Sequence, residues 1–239
     1  MVKVEQLTKL YGTQKAIDTI TFSAEPGKIL GFLGPNGAGK STTMKILSGF
    51  IPQTSGRVSV AGYDVSSRPI EVKKNLGYLP EHNPLYLDMY VKESLEFIAD
   101  IHKIPNKRSR IKEVIDLTGL EIEQNKKIGA LSKGYRQRVG IAQAIIHDPQ
   151  VLILDEPTSG LDPNQLVEIR KLLKDLGKTK TLILSTHIMQ EVEAICDQIV
   201  IINKGRIVAN NSLQGLKDAH ENGSLEHIFL TLTSSILHP

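Results

Sequence analysis

The stretch GPNGAGKS (residues 34–41) sets glycines, a lysine and a hydroxyl residue in the order G-x-x-x-x-G-K-[ST], between an apolar run and a helical pattern. Glycines let consecutive backbone N–H groups converge on phosphate oxygens with no Cβ in the way. The spacing predicts a loop in which Gly34, Pro35, Asn36, Gly37, Ala38, Gly39 and Thr42 surround a bound nucleotide's phosphates. Lys40 then reaches the β- and γ-phosphates, and the Ser41 hydroxyl ligates Mg²⁺. The following helix points its N-terminal dipole at the same charge.

A second constellation is VLILDEPTSGLD (151–162), where an apolar run ends in two acids. If the run is a buried parallel strand, its carboxyl end is where open α/β sheets bind ligands. Asp155 is then placed to hold Mg²⁺ through water, opposite Ser41. Glu156 is placed to orient and activate the water that attacks the γ-phosphate. A purely structural role, favouring the start of the next helix, accounts for one acid but not for a strand ending in two. His187 closes another apolar run, TLILST (181–186), and on a neighbouring parallel strand it projects to the same edge, towards the γ-phosphate. A further segment, LSKGYRQR (131–138), is a Ser- and Gly-containing turn that opens a helix, a backbone type that holds phosphate, yet it lies roughly 90 residues from Lys40.

These residues need elements to hold them. The first 35 residues read as strands punctuated by Gly12, Pro26 and Gly27, and KSTTMKILSGF as a helix stopping near Gly49. GRVSVAGYDV (56–65) reads as a hairpin. From about 86 to 148 the pattern is helical, with Val91, Leu95, Ile98 and Ile101 as one stripe and Tyr135, Val139, Ala142 and Ile146 as another. PNQLVEIRKLLKDLG is a crossover helix between the two apolar strands, QIVIINKGRIVAN a closing hairpin, and Leu225, Ile228, Phe229 and Leu232 one face of a short helix. The pattern is an α/β core with a helical insertion.

Composition narrows the class. The chain has 239 residues, 40% hydrophobic and 23% charged, enough for one large α/β domain or two small ones. A net charge of +3 is too slight to indicate nucleic acid or an anionic membrane surface. NKRSRIK (106–112) reads as a solvated helix start. Cys196 is the sole cysteine, which excludes an internal disulfide or a cysteine-based metal site and fits a reducing cytosol. The N-terminus has no signal-peptide core, and no apolar run reaches the roughly 18 residues of a membrane span, so work at a membrane requires another chain to cross it.

Taken in order, GPNGAGKS, LSKGYRQR, VLILDEPTSGLD and LSTH resemble the motif series of the ATP-binding subunits of ABC transporters, over residues 1–210. The resemblance implies an α/β P-loop NTPase (RecA-like) core with an N-terminal antiparallel β subdomain and an inserted helical subdomain. As one domain, 1–85 and 149–210 form the core, 86–148 the helical part and 211–239 a C-terminal extension. It implies an ATPase using ATP and Mg²⁺ that powers transport through a separate integral membrane subunit, at the cytoplasmic face of the membrane. Two such subunits, identical or paralogous, dimerise head to tail. Ser132 and the Gly134 backbone of one then contact the γ-phosphate held by the other, and the SGLD loop (159–162) crosses the interface. Tyr11 stacks on adenine.

Two positions depart from the family pattern. Lys133 and Tyr135 stand within the segment that is LSGGQ in the family, and Lys133 adds positive charge near the partner's site. Glu81 stands where the family has a glutamine that senses Mg²⁺ and the membrane partner, so a carboxylate joins Ser41 and Asp155 as a metal contact. Both departures resemble the exporter-type group with separate membrane subunits, and GYLPEHNPLYLDMYVKE (77–93) is similar to the subunit associated with bacterial gliding motility. The alternative class is a soluble ABC-type ATPase acting on nucleic acid or a protein assembly; the paired domains, coiled-coil insertions or basic arms often found there are not seen, and no nucleic-acid partner is expected. A P-loop kinase leaves LSKGYRQR and His187 without a role.

Overall fold

The computed structural model describes residues 1–220 and 223–234. Two sheets organise the chain. An antiparallel sheet in the order β2-β1-β4-β5 is built from β1 (Val2–Tyr11), β2 (Gln14–Ala24), β4 (Ser55–Val60) and β5 (Tyr63–Asp64). The second, six-stranded sheet runs β10-β9-β3-β8-β7-β6, from β3 (Ile29–Leu33), β6 (Leu76–Leu79), β7 (Val151–Asp155), β8 (Thr181–Thr186), β9 (Gln198–Asn203) and β10 (Arg206–Ser212). Its pairings are parallel except for β9 with β10, the hairpin expected around Lys204-Gly205. Strands β3, β7 and β8 are buried at every residue, as continuous apolar runs covered on both faces must be.

The alternation along each strand divides the interior in two. Leu30, Phe32, Val151, Ile153 and Ile183 face the antiparallel sheet and α1 (Lys40–Leu47). Ile29, Leu33, Leu152, Leu154, Leu182 and Leu184 face the opposite side, where the remaining long helices pack. Gly31 lies on that side, and a Cβ there would meet Cys196 Sγ at 2.8 Å, so the missing side chain lets α7 (Met189–Ile195) and its C-cap Cys196 seat against β3. Cys196 is buried as a result.

Between β6 and β7 come α3 (Val91–Ile101), α4 (Lys107–Thr118) and α5 (Lys133–Ile145), the helical stretch read from the sequence. One stripe differs from its expected composition. Val91, Leu95 and Ala99 face inward at i, i+4 spacing while Ile101 is 58% exposed, because about 100° per residue carries Ile101 round the helix away from that stripe. Gly77 on β6 has no side chain to hold off the Ala144 carbonyl, which lets α5 lie on this edge strand. After β7 follow the crossover helix α6 (Pro163–Gly177), and, beyond β10, α8 (Leu213–Ala219) and α9 (Leu225–Ser234). Helix α2 (Pro69–Asn75) and strand β6 had no counterpart in the sequence reading.

Candidate nucleotide site

The loop 34–39 leaves β3 and enters α1 with Gly37 at φ 76° and Gly39 at φ 110°, both in the region that favours glycine. A Cβ at Gly39 would stand 2.7 Å from the Ala16 carbonyl oxygen, and one at Gly34 would collide with the Ile202 carbonyl. The loop is therefore pressed between the β1–β2 hairpin and β9, with its conformation fixed by close backbone approach. Lys40 is buried and its Nζ donates to the carbonyls of Gly34 (2.7 Å) and Pro35 (3.3 Å). Burial holds its ammonium below the usual lysine range, while Glu156, Asp155 and Glu81 pull the other way.

A cavity of about 640 Å³ opens over this loop. Asn36, Gly37, Gly39, Lys40, Ser41 and Thr42 line one side, and Glu81 and Glu156 the other. Gly34, Pro35 and Ala38 shape the loop from behind: the first two carbonyls take the Lys40 protons and the Ala38 carbonyl accepts from the Gly205 N–H at 2.9 Å. Gln14, Lys15 and Ala16 of the β1–β2 hairpin and Lys204 and Gly205 of the β9–β10 turn also line the cavity. The sequence carried no signal for these, since they reach the site only through sheet packing. Tyr11, at the end of β1, is 50% exposed with Lys9 Nζ 5.1 Å from its ring centre, and it stands outside the cavity lining.

Adjacent strands β7 and β8 carry the acids and the histidine, with Asp155 level with Ser185. Asp155 is 1% exposed, and its Oδ1 is buried without a hydrogen-bond partner. Burial pushes its carboxyl above the ordinary range, with the nearby Ser185 and Ser41 hydroxyls opposing the rise. Glu156 is 7% exposed with φ 52°, a left-handed backbone that costs a non-glycine residue about 1 kcal/mol or more. Its N–H donates to the Ser185 carbonyl at 2.9 Å, and both carboxylate oxygens meet His187 Nδ1, at 2.9 and 3.0 Å. Burial raises the Glu156 carboxyl, and the His187 contact works against that rise. His187 is 51% exposed, so this pair sits at the solvent edge of the sheet.

The set Ser41, Asp155 and Glu81 offers a hydroxyl and two carboxylates, hard oxygen donors of the kind Mg²⁺ takes. The unpartnered Asp155 Oδ1, buried beside Ser41, fits such an ion. Glu81 follows β6 and borders both this cavity and a second one of about 830 Å³ between the sheet and the helical stretch.

Ser132 and Gly134 lie elsewhere. Ser132 caps α5, its Oγ accepting from the Tyr135 N–H at 3.4 Å, and neither residue lines the cavity. The Gly134 backbone is covered by the Gln165 side chain of α6, and the end of Lys133 lies across Gly160, the φ +72° turn of SGLD. Arg138 anchors the same helix, donating to the Thr118 carbonyl at 2.9 Å and pairing with Glu168 of α6.

The sequence profile of the ABC transporter family matches residues 17–159. Among curated relatives, the bacitracin transport ATP-binding protein BcrA of Bacillus licheniformis is 39% identical over 91% of this chain and 71% of its own length. The ABC transporter ATP-binding protein NatA of Bacillus subtilis is 34% identical over 91% of this chain and 90% of its own. Among solved structures, an ATP-binding subunit of an ABC transporter superposes with TM-score 0.89 at 29% identity, covering 97% of this chain and 99% of that one. A dimeric ABC transporter cassette in a post-hydrolysis state with ADP and Pi superposes at TM-score 0.82 and 25% identity, over 89% of this chain and 99% of that one. With the loop at Lys40, the paired Glu156 and His187 and this shared architecture, the chain belongs to the ABC transporter family, as one of its ATPase cassettes.

Proposed function

We propose that two copies of this chain, or one copy and a paralogue, close head to tail around two ATP molecules and drive an integral membrane subunit from the cytoplasmic face of the membrane. The observation that carries this reading is a division of labour within the chain. The phosphate loop and Glu156, which His187 meets through Nδ1 from outside the lining, share one cavity, while Ser132 and Gly134 open a different helix outside it. Such an arrangement makes each chain two half-sites, completed when Ser132 and Gly134 of one copy meet the γ-phosphate on the other and the SGLD loops meet between them.

Within a site, Lys40 neutralises the β- and γ-phosphates and the loop N–H groups fix their position. Ser41 and Asp155, with Glu81 beside them, would hold Mg²⁺, which when bound would offset phosphate negative charge. Glu156 takes a proton from the attacking water; its raised carboxyl range makes it a better base than a free glutamate, and His187 holds its orientation. The water oxygen bonds to the γ-phosphorus, the bond to the β–γ bridging oxygen breaks, and ADP and phosphate leave. Tyr11 supports adenine from the rim of the hairpin in this reading.

In this reading the partner and the location are those that the family implies. No helix among the described residues is long and apolar enough to cross a membrane, and the crossing is assigned here to a separate membrane subunit, as in the exporter-type group. One relative is named for bacitracin transport. The gliding-motility likeness rests on residues 77–93 alone.

The test is ATP-dependent dimerisation of Glu156→Gln, which holds ATP without cleaving it. Sedimentation should show monomer with ADP and dimer with ATP, and Ser132→Arg should remain monomeric with either. A dimer indifferent to nucleotide, or to Ser132→Arg, rejects the head-to-tail reading. Purification of the native protein in mild detergent should bring a polytopic membrane protein at stoichiometry; recovery with cytosolic proteins or nucleic acid alone rejects the transport role.

A further inference from the structure

Glu191, the third residue of α7, is 1% exposed, a costly place for a carboxylate. Its bonds go to two hydroxyls on different strand ends. Thr158 Oγ1 donates to Oε1, and Thr186 Oγ1 donates to Oε2 at 2.8 Å. Thr158 stands two residues beyond Glu156, and Thr186 directly precedes His187. Thr186 Oγ1 also accepts the Ile188 N–H at 3.1 Å, so His187 is held on both of its backbone flanks by a network that ends on Glu191. On the other side, the Ser159 N–H donates to the Glu156 carbonyl at 3.2 Å, which ties the Thr158 turn back to Glu156.

The proton count sets the direction of both bonds. An ionised carboxylate only accepts, so both threonine hydroxyls donate to Glu191, and the Thr186 oxygen receives the Ile188 N–H on its other side. Glutamine in its place supplies one acceptor and an amide donor and has to turn one of the two bonds around, and an apolar residue supplies neither. Glu156 meanwhile sits at φ 52°, a conformation that persists only where its surroundings over-determine it.

We propose that Glu191 is a positioning residue of the hydrolytic site: by taking the Thr158 and Thr186 protons together, it ties the ends of β7 and β8 and holds Glu156 and His187 in register. This rests on the reading above that Glu156 activates water. Glu191 does not line the nucleotide cavity, and the phosphate loop belongs to β3 and α1. The brace thus governs turnover and leaves nucleotide affinity alone.

Steady-state ATPase assays on the full chain test this, alongside binding of a fluorescent ATP analogue and thermal melts. Glu191→Gln is expected to lower kcat by about 10- to 100-fold, the scale of a misplaced catalytic group, with KM and analogue affinity within about twofold of the parent. Thr158→Val should lower kcat too, and the Glu191→Gln/Thr158→Val double variant should be no slower than the slower single, because both cut one network. Parental kcat in Glu191→Gln overturns the proposal. So does a fall in kcat matched by equal losses of analogue binding and folded fraction, which marks a residue that only supports the fold. Glu156→Gln separates the layers. An inactive Glu156→Gln beside a fully active Glu191→Gln removes the brace alone, whereas an active Glu156→Gln removes the assignment of Glu156 and the brace with it.

Discussion

Glu156 carries two costs at one position, a left-handed backbone and a buried carboxylate. The second makes a prediction whose sign follows from linkage. A carboxyl whose folded range is raised favours the protonated form, so its contribution to stability is present at acid pH and lost as pH rises through the folded value. Glu156→Gln should therefore melt above the parent at pH 7.5, by roughly 2 °C or more for a chain of this size, and the difference should shrink at acid pH. Hydrolysis should fall at least about a hundredfold in the same variant, as expected when a general base is removed. Calorimetry at two pH values checks the first, and phosphate release the second. An unchanged melting temperature at pH 7.5 would show that burial of this carboxylate costs nothing. The chemistry-bearing residues of this site were largely legible in the sequence, because a phosphate loop and a strand ending in two acids are local patterns. Glu191 was not, since it is one acid in the ordinary helical stretch MQEVEAI and its meaning depends on Thr158 and Thr186 being brought to it.

At the scale of elements, β6 and the end of α5 form a joint between the sheet and the helical stretch. His147 lies there, with Nε2 3.0 Å from the Leu76 carbonyl, its ring stacked on His102 at 3.9 Å between centroids. Burial, the His102 ring and the charges of Lys180 and Arg110 push its range down to about 4, against the bond to Leu76. The unfolded chain thus takes up the proton first, and stability should decline as pH falls from about 6.5 towards 4. His147→Gln should flatten that decline in urea titrations at pH 7 and pH 5; an unaltered slope would place the acid sensitivity elsewhere. Arg138 fastens the other end of α5, and Arg138→Ala should cost about 2 kcal/mol, the scale of lost hydrogen bonds to a charged group, in the same titrations. Long apolar strands such as β7 and β8 announce themselves, whereas β6 has four residues including Gly77 and exists because β7 lies beside it. Ile101 fails as a core residue for another reason: the buried stripe runs through Val91, Leu95 and Ala99, and reading Ile101 into it overlooked a small alanine that is in phase in favour of a large side chain that is not.

At the scale of the whole molecule, the start of α5 is joined to α6 and to the turn that precedes it. Lys133 across Gly160 and Gln165 across Gly134 join the α5 start to the SGLD turn and α6. The two segments are thus packed against each other, and in the head-to-tail reading a closing partner meets both together. Weakening this join with Gln165→Ala should raise the ATP concentration needed for half-maximal dimerisation of Glu156→Gln several-fold, since the side chain that covers Gly134 is lost. Sedimentation across an ATP series checks this, and an unmoved midpoint would show that the two segments act separately.

Cys196 gives the chain a property useful beyond its own packing. Its thiol is shut against Gly31, and burial together with Asp197 and Glu191 keeps it protonated well above the usual cysteine range. A thiol in that state is a poor nucleophile and a poor oxidation target. The natural chain should therefore resist maleimides and mild oxidants, and a single cysteine placed at Ser132 or Asn36 would then be its one reactive point. Disulfide capture between two such copies would then report the separation of the half-sites in the working protein, without first building a cysteine-free background.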